Sequence, residues 1–178
     1  IAGACKVKCC NTNLTPEQVH ISLTQDPSEM AAMWTTLEDT KLHQVQYGIE
    51  ESNLNMSSAN GFSTTYKHFG WLGHLHVAKM MNLKASTRYY YRVGDGNDNW
   101  SKIFSFKTFH SDIGKSDLHP LRIGSVGDMG YAKNSDNTIN SLSKLIDDGK
   151  IDMIIHNGDI SYADGEFKHW DVFMRKIE

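Results

Sequence analysis

Two short apolar runs, "LRIGSV" (121–126) and "IDMIIH" (151–156), lead at once or after a single residue into Gly-Asp, and one amphipathic stretch separates them. Runs of this length and character read as buried strands. Between them, "SDNTINSLSKLIDDG" (135–149) carries Ile139, Leu142, Leu145 and Ile146 at helical spacing. Ser135 or Asp136 is placed to cap the start of this helix, and Gly149 to end it. A strand, a crossover helix and a second strand make a βαβ unit, whose strands run parallel. Both strands therefore end on one edge of the sheet, where α/β folds gather their ligands.

The residues delivered to that edge carry the chemistry. "VGDMGY" (126–131) brings Asp128, and "NGDISYADG" (157–165) brings Asp159. One Gly-Asp after a strand is more often a turn or a helix cap than a ligand. Two at matching ends of consecutive parallel strands point to a metal, because carboxylates brought close repel unless a cation or proton lies between them. The glycines let the backbone turn sharply and approach an ion. Tyr162 follows Asp159 by three residues. A phenolate is a hard oxygen donor that favours a trivalent ion, chiefly Fe(III), over Zn(II) or Mg(II). His156 and Asn157 flank the second motif and read as structural neighbours.

The first part of the chain follows another pattern. "VHISL" (19–23), "MAAMWTT" (30–36), "HQVQYG" (43–48), the stretch 71–80, "TRYYYRVG" (87–94) and "KIFSFKT" (102–108) are short runs separated by Gly, Asn and Asp. That spacing, without helical periodicity, predicts an antiparallel β-sandwich. In "VHISL", Val19, Ile21 and Leu23 fall on one face. "LKASTRY" (83–89) places Leu83, Thr87 and Tyr89 as in the tyrosine corner of fibronectin type III modules, with Ala85 where such modules often have proline. Residues 110–120, "HSDIGKSDLHP", are polar, aperiodic and end in proline, as a linker does. The expected organisation is an N-terminal segment (1–15), a sandwich (16–109), this linker (110–120) and the start of an α/β domain (121–178).

Charge and composition narrow the partners. A formal charge of −3 supplies no broad basic field for nucleic acid or an anionic membrane. No apolar run approaches the ~18 residues that span a bilayer. Cys5, Cys9 and Cys10 crowd the N-terminus without a matching ligand cluster. Asn13, Asn55 and Asn99 head glycosylation sequons, a pattern that favours secretion only slightly. The sequence opens on Ile1 rather than Met, as expected of a processed product or a partial sequence.

"GDMG" followed by "GDISYADG", behind a fibronectin-like stretch containing "PEQVHISLTQDPSEMAAMWTT", resembles the purple acid phosphatases, from about Pro16 to the last residue. These belong to the calcineurin-like metallophosphoesterases. Related two-metal phosphoesterases have Asp-x-His in the first motif. Here that histidine is replaced by Gly130, and Tyr162 in the second motif is the compensating donor. The resemblance implies hydrolysis of phosphate monoesters, through metal-bound hydroxide at a dinuclear centre of Fe(III) and a divalent Zn, Mn or Fe. It implies that Asp128 binds Fe(III), that Asp159 bridges both ions, and that Tyr162 binds Fe(III) and gives a coloured charge-transfer band. It also implies a secreted or vacuolar/lysosomal location and a possible homodimer. The family's Gly-Asn-His-Asp/Glu motif, its lone His and its late Gly-His-x-His do not follow Asp159 here. A partial sequence, inactive alone, is therefore expected. Two other readings stand beside this one: a metallophosphodiesterase of the same fold, and a non-catalytic fibronectin-like binding module.

A second histidine motif tempts. "GHLH" (73–76) puts His74 and His76 on one face of a strand, opposite Trp71, Leu75 and Val77. With no carboxylate or cysteine nearby to complete a site, they read as strand histidines on a solvent or interdomain face. In "EFKHWDVFMRKIE" (166–178), Phe167, Trp170, Phe173, Met174 and Ile177 mark the expected buried face of a helix, with His169 outside it.

Overall fold

The computed structural model describes residues 13–58, 61–66, 70–115 and 117–178; Cys5, Cys9 and Cys10 lie outside them. In chain order the elements are β1 (Glu17–Leu23), β2 (Met30–Thr36), β3 (Gln44–Gly48), β4 (Met56–Ser58), β5 (Phe62–Thr64), β6 (His74–Met80), β7 (Arg88–Gly94), β8 (Phe104–Lys107), β9 (Ile123–Val126), α1 (Asp136–Asp147), β10 (Met153–His156) and α2 (Lys168–Lys176). A 3₁₀ turn, Lys133–Ser135, leads into α1. Among the described residues, no helix is long and apolar enough to cross a membrane.

The first eight strands make two antiparallel sheets, ordered β1-β2-β6-β5 and β4-β3-β7-β8. Alternate side chains of both sheets meet in one apolar cluster that includes Trp34, Val45, Tyr47, Met80, Tyr89 and Val93. Strands β1 and β5 lie at the edges of their sheet, which is why Ile21 and Leu23 stay 36% and 53% exposed although Val19 is buried. The three-residue strands β4 and β5 are too short to carry a pattern in the sequence.

The tyrosine corner is present, and a second tyrosine doubles it. Tyr89 Oη accepts the Lys84 amide at 3.0 Å, with Leu83 buried beside it. Tyr47, on the neighbouring strand, both donates to the Met81 carbonyl and accepts the Met81 amide, each at 3.0 Å. Together they pin the β6–β7 crossing, where Asn82 and Ser86 adopt φ of 58° and 54°. Tyr47→Phe strands two backbone groups and Tyr89→Phe one. The expected losses, read by urea unfolding, are about 1–3 kcal/mol for Tyr47→Phe and less for Tyr89→Phe; equal losses would contradict this accounting.

Histidines 74 and 76 require correction. The strand begins at His74, so Trp71 lies in the preceding loop, stacked on Tyr66 at 4.3 Å. The alternation is real, but the histidine face points inward: His76, Ala78 and Met80 are all within 1% of full burial. His76 stacks on Trp34 in the core, at 5.2 Å between ring centroids.

Beyond residue 108, described residues form no helix or strand until β9. Strands β9 and β10 then pair in parallel, from Ile123↔Met153 to Val126↔His156. Arg122 anchors the start of the pair, donating to both carboxylate oxygens of Asp152 at 3.1 and 2.9 Å. Gly149, at φ 63°, ends α1 as expected. Ser135 does occupy the cap position, but its hydroxyl is diverted to the Ala132 carbonyl, so it does not cap the helix.

Helix α2 returns to the sandwich. Arg175 grips the Glu17 carboxylate at 3.0 and 2.6 Å, Asp171 accepts from the Gln18 amide side chain, and Glu178 accepts the Gln18 backbone N–H at 2.7 Å. Phe173 is 1% exposed. The expected buried face is only partly right: Trp170 is 41% exposed, and His169 instead stacks on Tyr131 at 3.9 Å. These polar contacts seat the helix on Glu17 and Gln18 and leave Trp170 turned outward.

Candidate metal centre

The parallel register brings the ends of β9 and β10 level, and the two loops that follow are stitched together. Asn157 N–H donates to Val126 O (2.8 Å), Gly130 N–H to Ile160 O (2.8 Å) and Tyr131 N–H to Ser161 O (3.2 Å). Such close approach depends on Gly127: a Cβ there would lie 2.3 Å from the Asn157 carbonyl oxygen. Ser125 adds a side-chain bond to Asn157 at 3.0 Å. His156 lies 3.3 Å from the Asp159 carbonyl through Nε2, and its ring is 5.7 Å from that of Phe173.

Out of this double loop, Tyr162 donates its phenolic hydrogen to Asp128 Oδ1. That hydrogen bond, then desolvation, then the negative charge of Asp128 and Asp159, push the phenol up to about 12. Both carboxylates therefore act on one hydroxyl, and Asp128, Asp159 and Tyr162 share one locus. Asp128 and Tyr162 hold φ of 53° and 51°, and Asp164 joins them at 52°. Left-handed backbone in non-glycine residues is costly and clusters where side chains are aimed for a purpose.

Gly130 has a visible role. At φ 73°, a Cβ on it would lie 3.3 Å from Tyr162 Cδ2, so the tyrosine ring occupies the space beside position 130. A large side chain there and the tyrosine ring in this place exclude each other. Beside the phenol opens a depression of about 390 Å³, lined by Asp159, Tyr162, Asp164, Phe167 and Trp170 among others. Trp170, unhelpful as core, thus forms its apolar wall.

Sequence reasoning had not found Lys176. Its ammonium donates to the carbonyls of Tyr131 (3.1 Å) and Ala132 (2.5 Å) and to the Ser135 hydroxyl (2.9 Å), and pairs with Asp136. It fastens the end of the Asp128 loop to α2, and no spacing rule signals such a contact. The sequon residues lie elsewhere. Asn55 is exposed, Asn13 is exposed and donates to Glu38 at 2.8 Å, and Asn99 is half-buried, donating to Asp95 at 2.7 Å.

The relatives of this chain are consistent in kind. Residues 16–108 match the family described as Purple acid Phosphatase, N-terminal domain. Purple acid phosphatase 21 of Arabidopsis thaliana is 35% identical over 164 residues, covering 92% of this chain and 34% of that protein. The Fe(3+)-Zn(2+) purple acid phosphatase 12 of the same plant is 29% identical over 170 residues, with the same coverage of 92% and 34%. Among solved structures, purple acid phosphatase PPD1 from yellow lupin seeds shares the fold with a TM-score of 0.76 at 22% identity, over 92% of this chain and 33% of that one. The chain therefore spans about a third of the length of these relatives. With the family's N-terminal domain matched over more than half of its residues, the chain belongs to the purple acid phosphatases.

Proposed function

We propose that this chain supplies one face of a dinuclear centre of Fe(III) and divalent Zn, Mn or Fe that hydrolyses phosphate monoesters. Asp128, Asp159 and Tyr162 would hold the ions, with the phenolate and carboxylate suiting the ferric one. The observation that carries the reading is the meeting of the Tyr162 phenol with the Asp128 carboxylate at the strand edge that also bears Asp159. The donor set fits the group: two carboxylates and a phenol are all hard oxygen donors, as a trivalent ion prefers. The relative named for Fe(3+) and Zn(2+) supports the same pairing.

When bound, two adjacent ions supply Lewis acidity at the phosphoryl group and an activated water at acid pH. The chain's own residues prepare the place. Asp128 keeps the phenol, 42% exposed at the mouth of the loops, aimed at the carboxylates, and Gly130 leaves room for its ring. Phe167 and Trp170 give the adjoining depression an apolar side for the alcohol portion of an ester. Secretion or vacuolar/lysosomal residence belongs to the same proposal, with Asn13, Asn55 and Asn99 as the candidate glycosylation positions.

Ferric titration of the chain tests this. A visible tyrosinate-to-iron charge-transfer band is expected, absent from Tyr162→Phe and at least about tenfold weaker in apparent affinity, roughly 1.4 kcal/mol, for Asp128→Asn. Far-ultraviolet circular dichroism should match across the three proteins. A band that survives in Tyr162→Phe overturns the assignment.

A further inference from the structure

We propose a second, separate metal site in the β-sandwich, in which Asp39, His43 and His76 bind one zinc-type divalent cation. Each of the three offers a ligand atom, and those atoms all lie within 4.8 Å of one another. The carboxylate that the histidine motif lacks in sequence is delivered by the β2–β3 loop, which brings Asp39 and His43 over β6. Two imidazoles and a carboxylate are a zinc donor set, one short of the usual four. His74 Nδ1 lies 3.8 Å from Asp39 Oδ1 on the same side, near enough to serve as a fourth.

The hydrogen bonds prepare His76 as a ligand. Thr36 Oγ1 donates to the Glu38 carbonyl at 2.5 Å, so towards His76 Nε2, at 2.7 Å, it acts as acceptor. His76 therefore carries its proton on Nε2 and directs the lone pair of Nδ1 at His43 Nδ1, 3.0 Å away. A metal-ligating histidine commonly has this arrangement, with one nitrogen anchored by an outer partner and the other free to coordinate. Two nitrogens on a tetrahedral zinc stand about 3.3 Å apart, given bonds of 2.0–2.1 Å. The pair needs only a few tenths of an ångström of opening, with His43 moving its proton from Nδ1 to Nε2.

The other ligands are held as well. Asp39 accepts from Ser63 Oγ at 2.8 Å and from the Thr40 amide at 3.0 Å. The residue leading into β5 lies so close that a Cβ on Gly61 would meet the His43 carbonyl oxygen at 2.3 Å. His76 is 0% exposed, so its lone pair has no access to bulk water. The cluster touches neither Asp128, Asp159 nor Tyr162, and it would tie the β2–β3 loop to both β5 and β6.

The test uses the full 178-residue chain carrying Asp128→Asn and Tyr162→Phe, which silences the other centre. After zinc loading and dialysis, one bound ion per chain is expected, with imidazole scattering at about 2.0–2.1 Å in X-ray absorption and a raised thermal midpoint. Adding His43→Gln should weaken binding at least about tenfold. Undiminished binding in that variant, no retained zinc, or a sulfur shell at about 2.3 Å, which would place the ion on Cys5, Cys9 or Cys10, each overturns the proposal. Should His43→Gln fail to fold, proton resonances of His43 and His76 in the unsubstituted chain decide. They shift with zinc if the site exists, and unchanged resonances sink it.

Discussion

Gly127→Ala is expected to pull the two aspartate loops apart and to cost about 2–3 kcal/mol, the range of an overpacked core position. The methyl group has nowhere to go, because the atom it meets at 2.3 Å is the backbone carbonyl of Asn157 and not a pliable side chain. Relief requires β9 and β10 to separate at their carboxyl ends, which breaks the 2.8 Å bond from Asn157 N–H to Val126 O. Two readouts follow. The Asn157 amide loses protection from hydrogen exchange, and the Tyr162 phenol, no longer bonded to Asp128, falls from about 12 back towards its ordinary value of 10. The phenol is followed as the ultraviolet difference against the same background carrying Tyr162→Phe. An alanine variant with the Tyr162 titration unmoved would show that the loops do not depend on this contact.

Lowering the pH of the metal-free chain should cost about 3 kcal/mol of stability between pH 6.5 and about 4. Burial drives the effect: it pushes His76 down from 6.5 to about 4, helped by the neighbouring His43 and His74 and opposed by Asp39. In that window the unfolded chain binds a proton that the folded chain refuses. Stability is therefore whole above 6.5 and declines as pH falls through the folded value. Asp39, Asp95 and Asp152 are held below the usual carboxylate range, so their contribution is lost only at lower pH. Urea unfolding in EDTA at half-unit steps checks the sign and the window. Constant stability from pH 6.5 to 4.5 would contradict a buried neutral imidazole at position 76.

Position, rather than composition, made the Asp128–Asp159–Tyr162 locus readable. A strand that ends in Gly-Asp has a direction, and a crossover helix makes two such strands point the same way, so the meeting place follows from chain order. Strand β2 was equally plain, because its seven residues sit between polar turns. His76 shows the opposite case. Period-two alternation divides a strand into two faces without saying which is inside, and a polar residue biases the choice outward. Ala78 and Met80, on the face of His76, held the answer two and four residues downstream. Asp39 and His43 were beyond any local rule. They meet His76 only because the β2–β3 loop folds over β6, and side-chain contacts across that distance leave no periodic trace. Trp170 failed for a related reason: helical spacing finds a face, but the salt bridge from Arg175 to Glu17 and the hydrogen bond from Gln18 to Asp171 decide which way it docks.

The bond from the Gln18 amide to the Glu178 carboxylate joins positions 160 residues apart. During synthesis, at about 5–20 residues per second, the outer side of β1 therefore waits about 8–30 s for its cover. Over that interval it is an open sheet edge, the kind of surface that pairs with other chains. The irregular register between Glu17 and His20 bends the strand at that point and makes it a poor template for a stray partner. The nascent sandwich thus carries its own protection against mispairing until α2 emerges.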